Sequence, residues 1–596
     1  MSRSAVIAAV IALLLISVFP ISRALVSSVL VDDAPGATWA LTSEHFVEAF
    51  VPEQPPGTFE SVAPGAAPVR APGTRLRLLG NSVLIGLGAA LFALLLGVPY
   101  ALLSARTDVA GRRFLAGAYL VPLVLPPLLV AVAWNYVPFL EPPPITEATG
   151  PSPWGGVIAV LRASLLFALC YFPIVVLFAR RALTRVPASL EESARLVGGP
   201  LLALRRVTLP LAAPGILAGA LFVFLFALND FAVVDFLNWV RPTQDRIAVY
   251  PFESFVAWSK SQGPGVATAL GTPLALIGVA LLFAVHRLVG ARTHAGMHGA
   301  VSGTYRAPRD YELGRWRTPA LCAAIGLLTL SAGAPLLALL WKSSGLEAYR
   351  AVWKVIEGPT SSTHEIRWTL WFAGLAAFLA VPLAFVLGHH AARTGRARYL
   401  GLAVLPLALP PIFLGAGYLR LVNAPWIVDV FGNNPFLDPD SPQYGPALLL
   451  VAKYLPFAIV ALWAAFLEID PRLEEAAVTA GVRPLARTLG ILEPLVRPAS
   501  LLAGVLVFVL ALREIDTIVL LSGNTILRKI YTMIHFQRDE QVAALCILLV
   551  LIQALALLAL WILRGGTVRG GIVRGRATRD RAPLAESSAG VLPHAS

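Results

Sequence analysis

Charge is scarce in this chain. Lys, Arg, Asp and Glu make up 14% of its 596 residues, where a soluble domain carries about 25%. Apolar residues reach 57%, and the mean hydropathy is +0.74. A soluble chain could not bury that much apolar surface, so a soluble enzyme, a coiled coil and a disordered protein are excluded for the chain as a whole. Cysteine is nearly missing: Cys170, Cys322 and Cys546 each lie in an apolar run. No spacing suggests a disulfide framework or a thiolate metal site, so they read as small hydrophobes. Histidine is almost as rare. His294 and His298 read as part of a solvated linker, and His389-His390 as a solvated helix end. The G-x-x-x-x-G-K-[ST] phosphate loop is absent, so the chain cannot bind and hydrolyse ATP by that route. No nucleophile motif and no His or Cys cluster lies at a membrane face, which argues against a membrane enzyme.

What the chain has in abundance is apolar runs, with 48 Gly and 47 Pro, both tolerated in membrane helices. A bilayer core takes roughly 20 apolar residues per helix. The hydropathy pattern predicts an all-α integral membrane fold with about twelve spans. The first six fall at about 5–27, 78–103, 114–138, 156–180, 214–238 and 266–289. The second six fall at about 319–341, 368–390, 399–421, 446–467, 500–522 and 542–563. Arg3 before an apolar run could mark a signal peptide; apolar residues continue past Arg23 without a clear cleavage site, so an uncleaved helix is expected.

Lys and Arg number 47 against 34 Asp and Glu, a net charge of +13. The basic residues crowd the even-to-odd loops and the C-terminal tail, which predicts cytoplasmic placement of both termini. Anionic lipid on that leaflet accounts for the basic balance, and no nucleic acid is implied.

The chain is an internal duplication. VPLVLPPLLVAVAW around Pro122 returns as LPLALPPIFLGAGY around Pro406. Pro99 returns as Pro382, Gly111-Arg112 as Gly395-Arg396, and Glu191-Glu192 as Glu474-Glu475, at offsets of 283 or 284. Two tandem six-helix units follow: 1–289 with a polar loop at 181–213, and 319–564 with a polar loop at 468–499. An even number of spans gives both units the same orientation, about an axis along the membrane normal. Residues 290–318 read as a cytoplasmic linker and 565–596 as a disordered tail.

The two polar loops occupy matching positions. Ser189 stands at capping-box spacing from Glu192, and Asp470-Pro471 is an N-cap with Pro at the first helical position. Gly198-Gly199 and Gly481 end each short helix. Pro210 and Pro494 are expected to stop a second helical piece before the next span. Each loop would present paired carboxylates and Arg to the cytoplasm, a shape suited to a groove on a soluble partner.

These loops resemble the E-A-A-x-x-x-G coupling loop of ABC-importer permeases. Glu475, Ala476, Ala477 and Gly481 match outright, with Glu474 before them. Glu192, Ala194 and Gly198 match with Ser193 for the first Ala, and Glu191 precedes them. The family's Leu-Pro, about thirteen residues past the Gly, departs in both copies: Glu493-Pro494 replaces it, and Leu209-Pro210 comes one residue early. The fused layout, PLVLPP and PLALPP, and the segments IAVYPFESF and ILRKIYTMIHF are similar to the iron(III) branch. The thiamine and aminoethylphosphonate permeases share the layout.

The resemblance implies a permease of the bacterial inner membrane. It would do no covalent chemistry, hold no cofactor or metal, and translocate ferric iron or another small solute. Two copies of a separate ATPase would bind ATP and Mg and dock on the coupling loops. An external binding protein, periplasmic or lipid-anchored, would deliver the substrate. An ion-driven secondary transporter is the rival reading; it would show ionisable relays at mid-membrane without paired coupling loops.

Buried ionisable residues default to function. Asp230 and Glu514 fall at equivalent places, an offset of 284, with Asn229 and Arg513 before them. They are candidates for the translocation pathway or for structural helix ends. Asp235 and Asp516 lie nearby, and Lys453 in the tenth span could snorkel outward and is not singled out.

Overall fold

The computed structural model describes residues 3–29, 41–50, 74–137, 155–239, 247–259, 263–301, 310–357, 363–395, 398–431 and, with short breaks, 434–579. Among them there is no strand, only helices and one isolated bridge. Ten helices are long and apolar enough to cross a membrane. In the first copy they are Arg3–Val26, Leu76–Arg106, Gly155–Thr184, Ala188–Asn229 and Gly265–Val285. In the second they are Gly314–Lys342, Glu365–Thr394, Gly445–Leu467, Pro484–Leu512 and Asp539–Ala559.

The third and ninth spans are broken. Arg112–Val124 meets Pro127–Asn135 at 85°, and Gly401–Ala408 meets Pro411–Val422 at 109°. The duplicated Pro-Pro pairs cause both bends. A proline forces its predecessor out of the helical region. Leu125 and Pro126 are accordingly extended, with ψ of 129° and 136°, and Pro410 matches them at ψ 146°. Counting each bent pair as one span gives the expected twelve.

Pro210 and Pro494 do not stop their helices. Each lies two residues past a wide turn closed by an i→i+5 bond, at Leu204–Thr208 and Thr488–Leu492. Pro20 and Pro335 follow the wide turns Leu14–Val18 and Thr329–Gly333 in the same way. The wide turn resets the ladder, so the proline falls in a first turn where its missing N–H costs no bond.

The first spans are exchanged between copies. The helix before Val26 packs on the eighth, ninth and tenth spans, not chiefly on its own unit. Tyr418 donates its hydroxyl to the carbonyl of Ile16, and a Cβ on Gly417 would come within 2.1 Å of the Pro20 carbonyl. Only glycine permits that approach. Reciprocally, the seventh span packs on the broken third span of the first copy. Hydropathy alone cannot show an exchange, because each helix is equally apolar whichever neighbour it meets.

Helix extends into both segments read as linker and tail. The sixth span continues as helix through Val301, and the segment from Asp310 onward packs against the first copy. Residues 302–309 between them lie outside the described set. The last helix runs to Arg579, so the part of the tail up to there is helical, and 580–596 lies outside the described set.

Candidate functional site: two anchored loops and a charged cluster between the halves

The second loop follows its sequence closely. Asp470 Oδ1 accepts from the Arg472 N–H at 2.9 Å, and helix Pro471–Thr479 begins there. It ends in a Schellman motif: the Val482 N–H donates to Ala477 O at 3.0 Å and the Gly481 N–H to Val478 O at 2.9 Å. Gly481 sits at φ +74°, the left-handed region that favours glycine. The first loop reaches a similar shape differently. Its helix starts at Ala188 with Pro187 as the uncapped N-terminal residue, so Ser189 lies inside it, and the Ser189 carbonyl accepts from Ser193 Oγ. The left-handed residue is Gly199, at φ +77°, one position after Gly198. The left-handed glycine thus comes one residue late and Pro210 one early, so the two stand eleven residues apart, against thirteen between Gly481 and Pro494.

The paired carboxylates are not both presented outward. Glu191 is 1% exposed, gripped by Arg106 Nη2 at 2.5 Å, by Arg195 Nη2 at 2.6 Å and by the Thr208 hydroxyl at 3.2 Å. Arg106, itself 1% exposed, ends the second span and also donates to the Leu183 carbonyl. Glu474 is held the same way from the end of the eighth span, by His389 Nε2 at 2.9 Å and Arg393 Nε at 2.7 Å. His389 is therefore a buried anchor and not a solvated helix end. It stands 283 positions after Arg106, so the duplication offset alone could have found it. Burial raises the Glu474 carboxyl, but bonds and charge from His389 and Arg393 outweigh that and leave it below the usual carboxylate range. Such a group stabilises the fold above the unfolded pKa and loses that contribution only as pH falls through the lowered one. The anchor thus holds at neutral pH.

Glu475 and Ala476 face solvent, Glu192 and Ala194 are half-buried, and Ala477 packs inward. Around them stand exposed apolar side chains. Leu196 and Val197 are 90% and 84% exposed, and Leu190, Leu201, Leu473, Val478, Leu485 and Leu489 are also out. Each loop is pinned to the body by one carboxylate and shows an apolar face around the next.

The second cluster lies between the halves. Asp230 ends its helix, and its Oδ1 accepts from the Val233 N–H at 3.1 Å. Glu514 does the same for Thr517 N–H at 3.0 Å. The equivalence read from the sequence is thus an equivalence of turn geometry. Lys453 does not snorkel: its Nζ lies 2.6 Å from Glu514 Oε1 and 2.9 Å from the Thr517 hydroxyl. Tyr454 donates to Glu514 Oε2 at 2.5 Å. Arg513 crosses to the first copy, donating to the Leu123 carbonyl and lying 5.6 Å from the centre of the Tyr171 ring. Asp230 lies within electrostatic reach of Glu514, Arg513 and Lys453. Tyr531 of the second copy donates to Asp235 of the first, and His535 Nε2 lies 3.5 Å from the same carboxylate.

Residues 64–295 match the family of binding-protein-dependent transport system inner membrane components. The chain is 30% identical over 217 residues to a probable molybdenum ABC transporter permease protein of Haloferax volcanii, covering 35% of this chain and 73% of that protein. It is similar to the trehalose transport system permease protein of Mycobacterium tuberculosis, 30% identical over 223 residues, 37% of this chain and 76% of the other. The molybdenum transport system permease protein of Mycobacterium bovis is 30% identical over 232 residues, 38% of this chain and 83% of the other. Each alignment spans most of the relative and little more than a third of this chain, as one copy of a duplication would.

Proposed function

We propose that this chain, which belongs to the inner membrane components of binding-protein-dependent ABC transport systems, supplies both halves of the translocation path in one polypeptide. It is a multi-pass transport subunit without a catalytic domain or cofactor; ATP is bound by an ATPase partner, and a substrate-binding protein delivers the cargo. The observation that carries the proposal is the pair of anchored loops. Their exposed apolar faces surround Glu192 and Glu475, and each is tied to the body through Glu191 or Glu474. Two ATPase copies, one per loop, fit that arrangement. Closure of the pair would tilt both loops together and move the halves between inward-open and outward-open states.

The capture of a co-expressed ATPase tests this reading. Leu196→Asp combined with Leu473→Asp places a charge in each apolar face without touching an anchor. Captured ATPase should fall roughly tenfold or more, since burying an unpaired charge at an interface costs several kcal/mol. Undiminished capture would count against docking on these loops.

Orientation belongs to the same proposal, with the loops and both termini cytoplasmic. The crowding of Lys and Arg in the even-to-odd loops supports it. Cys322 is exposed and is replaced by Ser for the test. An impermeant maleimide added to intact cells should label Leu346→Cys and spare Thr479→Cys. The opposite pattern would invert the topology.

The finer part of the proposal concerns the cargo. Asp230 and Glu514 between the halves are the support for a cation such as ferric iron over a free anion, with Lys453 and Arg513 beside them offsetting part of that charge. The relatives named above carry molybdenum or trehalose in their names.

A further inference from the structure

The two coupling loops are not anchored alike. In the second copy both side chains that hold Glu474, His389 and Arg393, come from the eighth span. Arg393 also holds the Phe466 and Ile469 carbonyls, so the loop's entry is tied to the same side chain. At the corresponding distance past Arg106 the first copy has Ala110, which can make no such tie. Its second cation on Glu191 is Arg195, four residues along the coupling helix itself. A bond within one helix cannot fix that helix to the body.

What stands in the vacant role is Tyr311, from the segment between the copies. Its ring centre lies 4.4 Å from the Arg195 guanidinium and 5.5 Å from that of Arg106. Thr208 gives its hydroxyl proton to Glu191, so the Tyr311 O–H is the donor in the 3.0 Å contact with Thr208. One side chain thus touches all three groups that hold the buried carboxylate.

The backbone around Tyr311 is fixed as firmly. Its N–H donates to Arg106 O at 2.8 Å, and its carbonyl accepts from Asp108 N–H. Asp310 pairs with Arg112 at 2.5 Å. Asp108 Oδ1 accepts from Leu313 N–H at 2.9 Å, and its Oδ2 pairs with Arg317 at the start of the seventh span. The Arg317 bond and the Leu313 N–H hold the Asp108 carboxyl below the usual range. The strap therefore runs from the first coupling loop straight into the second half.

We propose that Tyr311 is a positioning residue of the first coupling loop, and that the strap Asp310–Arg317 transmits the motion of that loop to the seventh span. The proposal rests on ATPase docking at both loops. Its consequence is an asymmetry: the first loop depends on the inter-copy segment, while the second depends on its own half alone.

The test uses the full transporter with its ATPase, in the Cys322→Ser background. A benzophenone maleimide is placed at Ser193→Cys in the first loop or at the equivalent Ala476→Cys in the second, and photocrosslinking to the ATPase is measured. Tyr311→Ala should lower first-loop crosslinking by about threefold or more, the scale that a half-desolvated cation–π pair supports. Second-loop crosslinking should stay unchanged, and transport per ATP should drop. Tyr311→Phe keeps the ring and should recover most of the first-loop signal. If the alanine variant fails to accumulate, Tyr311→Leu keeps bulk without the π face and carries the same expectation. Equal crosslinking at the first loop with and without Tyr311 would overturn the proposal, as would an equal fall at both loops. Absence of crosslinks from either loop in the parent protein would instead refute docking itself.

Discussion

Gly199→Val combined with Gly481→Val should abolish transport while the ATPase partner continues to hydrolyse ATP. Both glycines sit at positive φ, +77° and +74°, and a Cβ at either would meet nothing within 4 Å. The penalty is therefore pure backbone strain, about 1–2 kcal/mol for an L-residue and more for a β-branched one. The membrane core is untouched, so protein level should hold. The strain relaxes by rotating each coupling helix against the piece that leads into the next span. That rotation breaks the transfer of force without removing the docking face. Transport of a binding-protein-delivered substrate should fall below roughly a tenth of the parent rate, the effect of somewhat over 1.4 kcal/mol in a coupled step. Gly198→Ala is the control, because Gly198 has a negative φ of −151° and only the flexible Leu202 side chain nearby. Full transport by the double valine variant would remove the hinge from the coupling path.

The position of that hinge shows where the sequence was informative. Glu475-Ala476-Ala477 and Gly481 have fixed spacing, and the Schellman motif follows from local chain geometry. In the first copy Gly198 and Gly199 are adjacent, and only backbone dihedrals decide which turns left-handed. Glu191 and Glu474 were legible as loop residues, yet their inward direction was not. It depends on Arg106 and His389, more than eighty positions away in the chain. The duplication links those two partners to each other, but nothing local links either to its carboxylate.

Lys453→Met alone should lower the yield of folded protein severalfold. It strips the Glu514 carboxylate of its only ion-pair partner among the described residues, and an orphaned buried charge costs roughly 3–5 kcal/mol. Tyr454 and Thr517 still donate to Glu514, which places the loss at the lower end. Adding Glu514→Gln should restore the yield, because both members of the pair are then neutral. Transport separates the two roles of the cluster. Asp230→Asn with Glu514→Gln keeps the hydrogen-bonding shape of both helix ends and removes two negative charges. Transport per molecule should slow by about tenfold, equivalent to ~1.4 kcal/mol, with ATPase capture per molecule unchanged, while the yield falls because Lys453 loses its carboxylate partner. A parent-like rate would mean that these carboxylates only close turns, and the electrostatic support for a cationic cargo would go with it.

The bends in the third and ninth spans were written in the chain as paired prolines, but hydropathy averages over such breaks and reads one straight helix. Lys453 was unreadable for another reason. Snorkelling is the default for a lone lysine in an apolar run, and its carboxylate lies 61 residues further on. The exchange of first spans and the docking of Tyr311 share that difficulty: both are choices among equally apolar or equally polar surfaces.

The duplication also decides what can be assembled. Cys170-Tyr171 in the first copy corresponds to Lys453-Tyr454 in the second, and Asn229-Asp230 to Arg513-Glu514. Two first copies side by side would offer a pair of Asp230 carboxylates and no lysine or arginine at these positions. Two second copies would double every cation. Only an unlike pair sets Asp230 beside a lysine–glutamate couple and an arginine, and the Arg513 bond to the Leu123 carbonyl joins the two kinds directly. Joining the copies in one chain makes the unlike pair the default outcome of synthesis, so the composition at the centre is fixed by the reading frame and not by subunit concentration.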